Sequence, residues 1–459
     1  MTLLQFLRQA RQVHLQFLAG ALSEPPIYVV GNPSADLDSI ISAIVYSYWA
    51  SNRLPSTTPR PHVPLLNLPI VPAGSELYRL RPEFVTALWL STSFPALNSD
   101  ERFENSSDSA GKLLREHSVT VADFAQSLRD NAISRQIFAD ATMVDWNAMP
   151  HRVEGQIGHG SIAGLSEVCF RTVGCVDHHV DEHFVPSQDA LPAGQPLIIQ
   201  SGPGSCSSLI VNELVRRDLW AAEASSAETA QLAKLALASI LIDTSNLTAE
   251  GKVTEVDIQA VRFLREQVAK EDLKWDAEAF YEQVQAAKTN SLDLLTLDEV
   301  LDRDYKEWTE TSSSGQSIKL GFCSSVKPIR WVVEKAGAPQ QFLEGLHAFA
   351  AAKQLDAVVV MTSFDSVDNA FSRELLICAI GDCDAAVKAA EAFVEQNATH
   401  LGLERWSPVV CECPDSTEHA IWSTLNGDSG IWRRFWQQTN TTASRKQVAP
   451  LLRKVVANS

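Results

Sequence analysis

Two carboxylates separated by one residue, Asp36 and Asp38, sit in the stretch Gly31-Asn32-Pro33-Ser34-Ala35-Asp36-Leu37-Asp38-Ser39. Like charges held that close are costly unless cations neutralise them. Further along come Asp145, the run Asp177-His178-His179, and Asp243. Asp36, Asp38, Asp145, His178 and Asp243 together offer four carboxylates and one imidazole. That donor set suits manganese or magnesium, whereas a structural zinc would favour thiolates and histidines in a closed tetrahedron. It exceeds what a single ion with open positions needs. Two divalent ions about 3.5–4 Å apart, sharing one carboxylate, are the economical arrangement, and such a pair makes hydroxide at neutral pH and clamps phosphoryl oxygens during in-line attack. Each aspartate alone would read as a helix cap or turn residue at a strand end. The whole set beside Asp-His-His reads as a site.

The elements that must position these residues are visible as apolar runs that stop at an acid. Ile27-Tyr28-Val29-Val30 leads to Asp36, Ala141-Thr142-Met143-Val144 to Asp145, Thr172-Val173-Gly174-Cys175-Val176 to Asp177, and Ile240-Leu241-Ile242 to Asp243. In an open α/β sheet, residues at the carboxyl ends of the strands converge although distant in sequence. The expected architecture is therefore an N-terminal parallel-sheet domain over residues 1–270. A smaller α/β domain follows over 271–459, with the active site in the cleft between them. Further strands are expected at Leu65–Ile70, Pro196–Ile199, Ile318–Cys323, Asp356–Met361 and Glu374–Ile380. Helices are expected after Ser39 and at Leu209–Leu214, Glu228–Ser239, Gln340–Lys353 and Asp384–Gln396. The stretch Val261–Glu282 reads as a charged helical link between the domains.

At 459 residues the chain has room for two or three domains, and its 45% hydrophobic and 20% charged composition is that of an ordinary soluble protein. No apolar run is long enough to span a membrane. The net charge of −18 argues against general affinity for nucleic acid, although bound divalent ions would reverse the sign of a carboxylate pocket. From Ser429 to Ser459 the balance inverts, with six basic residues and no acid. The eight cysteines form no C-x-x-C pair and read as buried thiols of a reducing compartment. A cytoplasmic, monomeric protein is the expectation; the amphipathic, Arg-containing N-terminus leaves a mitochondrial form open.

Several residues carry two readings. Ser205-Cys206-Ser207-Ser208, after Gly202 and Gly204, opens a helix and reads equally as an anion site or a plain N-cap. His183 reads as a supporting or surface residue, because H-x-x-x-H without a following Glu is no metalloprotease motif. His151 and His159 read as loop residues. Arg373 either points into the cleft or pairs with a nearby acid, the commoner outcome.

Asp36-Leu37-Asp38-Ser39, Val144-Asp145, Asp177-His178-His179 and Leu241-Ile242-Asp243-Thr244 resemble, in order and spacing, the four motifs of the DHH phosphoesterase superfamily. Ala443-Ser444-Arg445-Lys446-Gln447-Val448-Ala449-Pro450 resembles the S-R-K-[KQ]-V-x-P signature of the second domain shared by exopolyphosphatases, Prune-like proteins and family II inorganic pyrophosphatases. Family II pyrophosphatases place a metal-binding His four residues before the first Asp of D-x-D. Here that position is Asn32, as in eukaryotic exopolyphosphatases and Prune-like proteins, and it would serve as a weak, hard ligand. The pattern looks most like the fungal-type exopolyphosphatase.

That resemblance implies a metal-dependent hydrolase releasing terminal orthophosphate from inorganic polyphosphate or another small phosphate anhydride, with two magnesium or manganese ions. Asp36 would bind the first ion and Asp38 the second, Asp145 would bridge, and His178 and Asp243 would complete the second site. His179 would meet the substrate as phosphate contact or general acid, with Asp177 orienting the histidines. Ser444, Arg445, Lys446 and Arg373 would contact phosphates. The alternatives are an inorganic pyrophosphatase, a Prune-like nucleotide phosphodiesterase, and a Prune-like interaction protein with incidental catalysis.

Overall fold

The computed structural model describes residues 1–53, 60–93, 102–133, 135–220, 226–313, 315–366, 370–380, 384–406, 417–427 and 432–458. Its first sheet comprises β1 (Ile27–Val30), β2 (His62–Leu65), β3 (Ile137–Val144), β4 (His151–Arg152), β5 (His159–Ser161), β6 (Val168–Asp177) and β7 (Leu197–Ile199). Every residue of β1 is buried, the pattern of a strand covered on both faces. The spatial order is β2-β1-β3-β6-β5-β4, and β7 also pairs with β6. The pairs β1–β2, β1–β3, β3–β6 and β6–β7 are parallel, while the short β4 and β5 add an antiparallel edge. Register brings the carboxyl ends together: Val30 lies opposite Met143, and Val144 opposite Val176.

The chain divides into two compact units, Met1–Ser291 and Leu292–Ser459. In the first, the N-terminal helix Leu3–Leu18 starts from a Thr2/Gln5 capping box and buries Leu3, Leu4, Phe6, Leu7 and Ala10 in the core. Helix Leu37–Arg53 turns Ile40, Ile41, Ile44, Val45 and Trp49 into the same core, where Trp49 stacks on Trp220 with centroids 4.9 Å apart. Fully burying side chains of this kind stabilises the unit by about 1.5–3 kcal/mol each before entropy is counted. The helix Glu255–Glu271 buries Ala260, Val261, Leu264 and Val268, and the next, Ala277–Asn290, buries Phe280 and Val284 in that core. The charged stretch expected as a link is therefore two amphipathic helices packed on the first unit.

Two expectations are corrected. The strand expected at Leu65–Ile70 lies earlier, at His62–Leu65, and Leu66 makes only an isolated bridge to Thr120. Ile240–Asp243 is not a strand but the last turn of the helix Ala227–Asp243. Its Ala- and Leu-rich sequence forms helix readily, and burial on all sides removes the amphipathic period that separates a buried helix from a buried strand.

The second unit holds a six-stranded sheet built from β8 (Tyr305–Thr311), β9 (Ser317–Ser325), β10 (Ala357–Asp365), β11 (Phe371–Ala379), β12 (Leu403–Arg405) and β13 (Arg433–Gln438). Its order is β12-β13-β11-β10-β9-β8, with β9–β10 parallel and the other pairs antiparallel. The C-terminal basic stretch contributes β13, with Arg433 and Arg434, and the helix Arg445–Asn458, which buries Val448, Ala449, Leu452, Val455 and Val456. Among the described residues no helix is long and apolar enough to cross a membrane. Cys169, Cys175, Cys206, Cys323 and Cys378 are buried free thiols; Cys383, Cys411 and Cys413 lie outside the described residues.

Candidate metal centre

At the aligned strand ends the chain places Asp145 just beyond β3, Asp177 as the last residue of β6, and His178 and His179 immediately after it. Ligand atoms of these four lie within 4.8 Å of one another. Asp145 adopts the left-handed region (φ 53°), a strained conformation for an aspartate, and its amide donates to Val176 O at 3.0 Å. Asp145 Oδ2 accepts from Asn32 Nδ2 and from Ser39 Oγ, each at 2.7 Å. Its Oδ1 is turned to the histidines, 3.0 Å from His178 Nε2 and 3.5 Å from His179 Nδ1.

His178 is held by the backbone. Its Nδ1 lies 3.0 Å from Pro203 O, and because a carbonyl can only accept, Nδ1 carries the proton. Its Nε2 faces Asp145 Oδ1 at 3.0 Å and Asp38 Oδ2 at 3.9 Å. One imidazole nitrogen converging with two buried carboxylates favours positive charge there, which a bound divalent ion would supply. Hard oxygens with one imidazole nitrogen fit a divalent ion of the magnesium or manganese type.

The first loop contributes two carboxylates in different settings. Asp36 is half-buried, accepts from Ser39 N (3.0 Å) and Ser34 Oγ (3.4 Å), and caps the helix that starts at Leu37. Asp38 is buried in that helix's first turn. It accepts from Cys206 N (2.6 Å), Ser207 N (3.1 Å), Ser205 Oγ (2.8 Å) and Ser42 Oγ (3.3 Å). The helix N-terminus at Ser205–Ser208 thus does receive an anion, and that anion is Asp38. Asp243 ends its helix half-buried; one turn earlier Ser239 donates to Ser207 Oγ at 2.7 Å, tying that helix to the loop that holds Asp38. Gly31 is needed at the loop's start, since a Cβ there would sit 2.7 Å from Ser39 Cβ.

The DHHA2 domain matches residues 282–455. A Schizosaccharomyces pombe protein named "Putative exopolyphosphatase" is 30% identical over 460 residues, spanning 98% of this chain and 97% of its own length. The chain belongs to the DHH phosphoesterase superfamily. A solved structure named as a "putative family II inorganic pyrophosphatase" from Methanococcus jannaschii is also similar, with 17% identity, a TM-score of 0.49, and coverage of 93% of this chain and 98% of that one.

Within this DHH protein, three supporting residues escaped the sequence reading. Asn147 donates to Asp177 Oδ2 (2.5 Å) and Val180 O (2.9 Å), and accepts from Glu182 N (2.8 Å), which fixes the histidine loop. Asp177 in turn holds His179, accepting from its Nδ1 at 2.8 Å and its amide at 3.2 Å. Fully buried Asp257 accepts from Gly204 N at 3.0 Å and from Thr254 N and Oγ1, fixing the turn whose Pro203 carbonyl orients His178. The Thr254/Asp257 capping box was the one available sequence signal. The third, Arg81, is taken up below. His183 is 87% exposed, and His151 is exposed as well.

The second unit's candidates sit in settings of their own. Arg445 donates from both Nη atoms to Asp304, to the carbonyl and to Oδ1, each at 2.7 Å. Ser444 caps the C-terminal helix through Gln447, and Lys446 is exposed. Arg373 is buried, donates from Nε to Thr441 O (2.7 Å) and stacks 5.0 Å over Phe371. Burial pushes its pKa down to about 10. The carboxylate partner expected for Arg373 is not found among the described residues. The adjacent Glu374 binds Ile329 N, Thr362 Oγ1 and Trp406 Nε1 instead.

Proposed function

We propose that this protein is a metal-dependent exopolyphosphatase that removes terminal orthophosphate from inorganic polyphosphate. The observation that carries the reading is the convergence of His178 Nε2 with Asp145 Oδ1 at 3.0 Å and Asp38 Oδ2 at 3.9 Å. Asp36, Asp38, Asp145, His178 and Asp243 would hold two divalent ions. Such ions, when bound, supply an acidified water and neutralise phosphate oxygens. The chain's own groups supply orientation. His178 is fixed in one tautomer by Pro203 O, and Asp145 is held by Asn32 and Ser39.

His179 is the solvent-facing member, its side chain 25% exposed. With Nδ1 bonded to Asp177 Oδ1, the ring is suited to hold a proton at Nε2 and deliver it to the leaving phosphate oxygen. Ser444, Arg445, Lys446 and Arg373 are assigned to contacts with the polyanion. Arg373 supports this best, as a buried guanidinium with no carboxylate partner among the described residues. The name of the fission-yeast relative supports the choice of substrate.

Phosphate release from a ladder of polyphosphate lengths, with magnesium and manganese compared, tests the proposal. Turnover of tripolyphosphate and longer chains, exceeding that of pyrophosphate, is expected. Hydrolysis confined to pyrophosphate would make the protein a pyrophosphatase. No release from any anhydride would leave a binding protein.

A further inference from the structure

We infer that Arg81 is a positioning residue of the metal loop, clamping the turn that carries Asn32, Asp36 and Asp38; the inference rests on the metal-site reading above. Arg81 is 2% exposed and sits at the junction of the helices Ser75–Leu80 and Pro82–Ser93. Its backbone is fixed there, with its amide donating to Leu77 O at 2.8 Å and its carbonyl accepting from Phe84 N at 3.1 Å. From this anchor the guanidinium crosses to the loop, donating from Nε to Ala35 O at 2.9 Å and from Nη2 to Ser34 O.

Those two carbonyls belong to the strained part of the turn. Ala35 has φ 43°, a region that costs a residue with a Cβ of order 1 kcal/mol or more unless its surroundings enforce it. The rigid fork of an arginine can grip two successive carbonyls at once, which a lysine ammonium cannot do with the same geometry. Ser34, held by its carbonyl, passes the order on: its amide and hydroxyl donate to Asn32 Oδ1 at 2.9 and 2.5 Å, and the hydroxyl also lies 3.4 Å from Asp36 Oδ2. Asn32 then reaches Asp145. A continuous chain of hydrogen bonds therefore runs from Arg81 through Ser34 and Asn32 to Asp145, with Asp36 attached. In these bonds Arg81 grips the backbone of the loop, so it acts by setting the loop before an ion arrives.

The test is Mn2+ affinity, measured by calorimetry and by the electron paramagnetic resonance of free Mn2+, for wild-type protein, Arg81→Lys and Arg81→Met. Both variants should bind Mn2+ about 10–100-fold more weakly, the range typical for groups that orient metal ligands. Turnover of Arg81→Lys at saturating Mn2+ should stay within about threefold of wild type, because the clamp sets affinity and not the chemical step. Wild-type affinity in either folded variant overturns the assignment. Wild-type protein that binds no Mn2+ overturns the metal reading instead. Should both variants fail to fold, hydrogen exchange on wild-type protein decides. Amides of residues 34–36 protected equally with and without Mn2+ support a preset loop, and amides that exchange freely until Mn2+ is added overturn it.

Discussion

Asn32 Nδ2 donates to Asp145 Oδ2 at 2.7 Å, joining two strand ends that are 113 residues apart in the chain. The same amide cannot easily turn round, because Asn32 Oδ1 already accepts from the amide and hydroxyl of Ser34. A residue read from the sequence as a weak ligand through its oxygen thus faces the site with its NH2 group. Asp145 is left to present Oδ1, since Oδ2 is taken by Asn32 and Ser39. Replacing Asn32 by Ala removes a hydrogen bond to a charged acceptor, worth about 1.5–3 kcal/mol. Mn2+ affinity of Asn32→Ala should fall roughly 10–100-fold, at about 1.4 kcal/mol per decade. Calorimetric titration checks this, and unchanged affinity would mean that Asp145 needs no such support.

Asp257 works on the other side of the site. It fixes Gly204 and Ser205, and through the adjoining Pro203 carbonyl it fixes His178. Asp257→Asn keeps the size but replaces one acceptor oxygen with an NH2 that meets backbone donors. Stability should drop by about 1–3 kcal/mol, the cost of an unsatisfied buried polar group. Mn2+ affinity should fall with it. A variant that melts lower yet binds Mn2+ normally would limit Asp257 to capping the helix Glu255–Glu271.

Removal of a ligand should act on chemistry and leave the fold alone. Asp145 and His178 sit at strand ends, outside the apolar core, so Asp145→Ala and His178→Ala should retain wild-type circular dichroism while phosphate release falls at least about 10³-fold at saturating metal. Asp145→Ala that keeps most of its activity with manganese in excess would rule out the shared-carboxylate arrangement.

The parts of the fold legible in the sequence were those where burial and local pattern agree. β1, β3 and β6 are apolar runs, buried almost throughout, and the acids at the ends of β3 and β6, Asp145 and Asp177, lie in one cluster. Asp243 was placed correctly at the end of an apolar run but on the wrong element, because a helix buried all round has the same composition as a buried strand. β8 was missed for the opposite reason: Tyr305–Thr311 is half-exposed and carries Lys306, Glu307 and Glu310, so its alternation hides among charges. Asn147 and Arg81 offered no sequence signal as supporting residues, and Asp257 offered only its capping box with Thr254. Their partners lie 30, 53 and 46 residues away, and only the folded chain brings them together.

Two histidines away from the site should make the first unit acid-sensitive. His14 is buried against Tyr28, its Nδ1 2.9 Å from the phenol oxygen, and burial, aided by the charge of Arg11, pushes its pKa down to about 3. Burial likewise lowers His62 to about 4, although the carbonyl of Arg60 works in the other direction. Both are neutral in the folded chain, whereas in the unfolded chain each takes up a proton below its ordinary value of 6.5. The stability they allow is fully present above that value and is lost as pH falls from there toward 3–4. At pH 5 each histidine should cost about 2 kcal/mol relative to pH 7.5, from about 1.4 kcal/mol per pH unit. Urea unfolding of wild type and His14→Leu at the two pH values checks this. The variant loses the Tyr28 contact at both, but its loss of stability between pH 7.5 and 5 should be smaller than that of wild type by about 2 kcal/mol. An equal pH dependence in the two proteins would show that His14 already accepts its proton inside the fold.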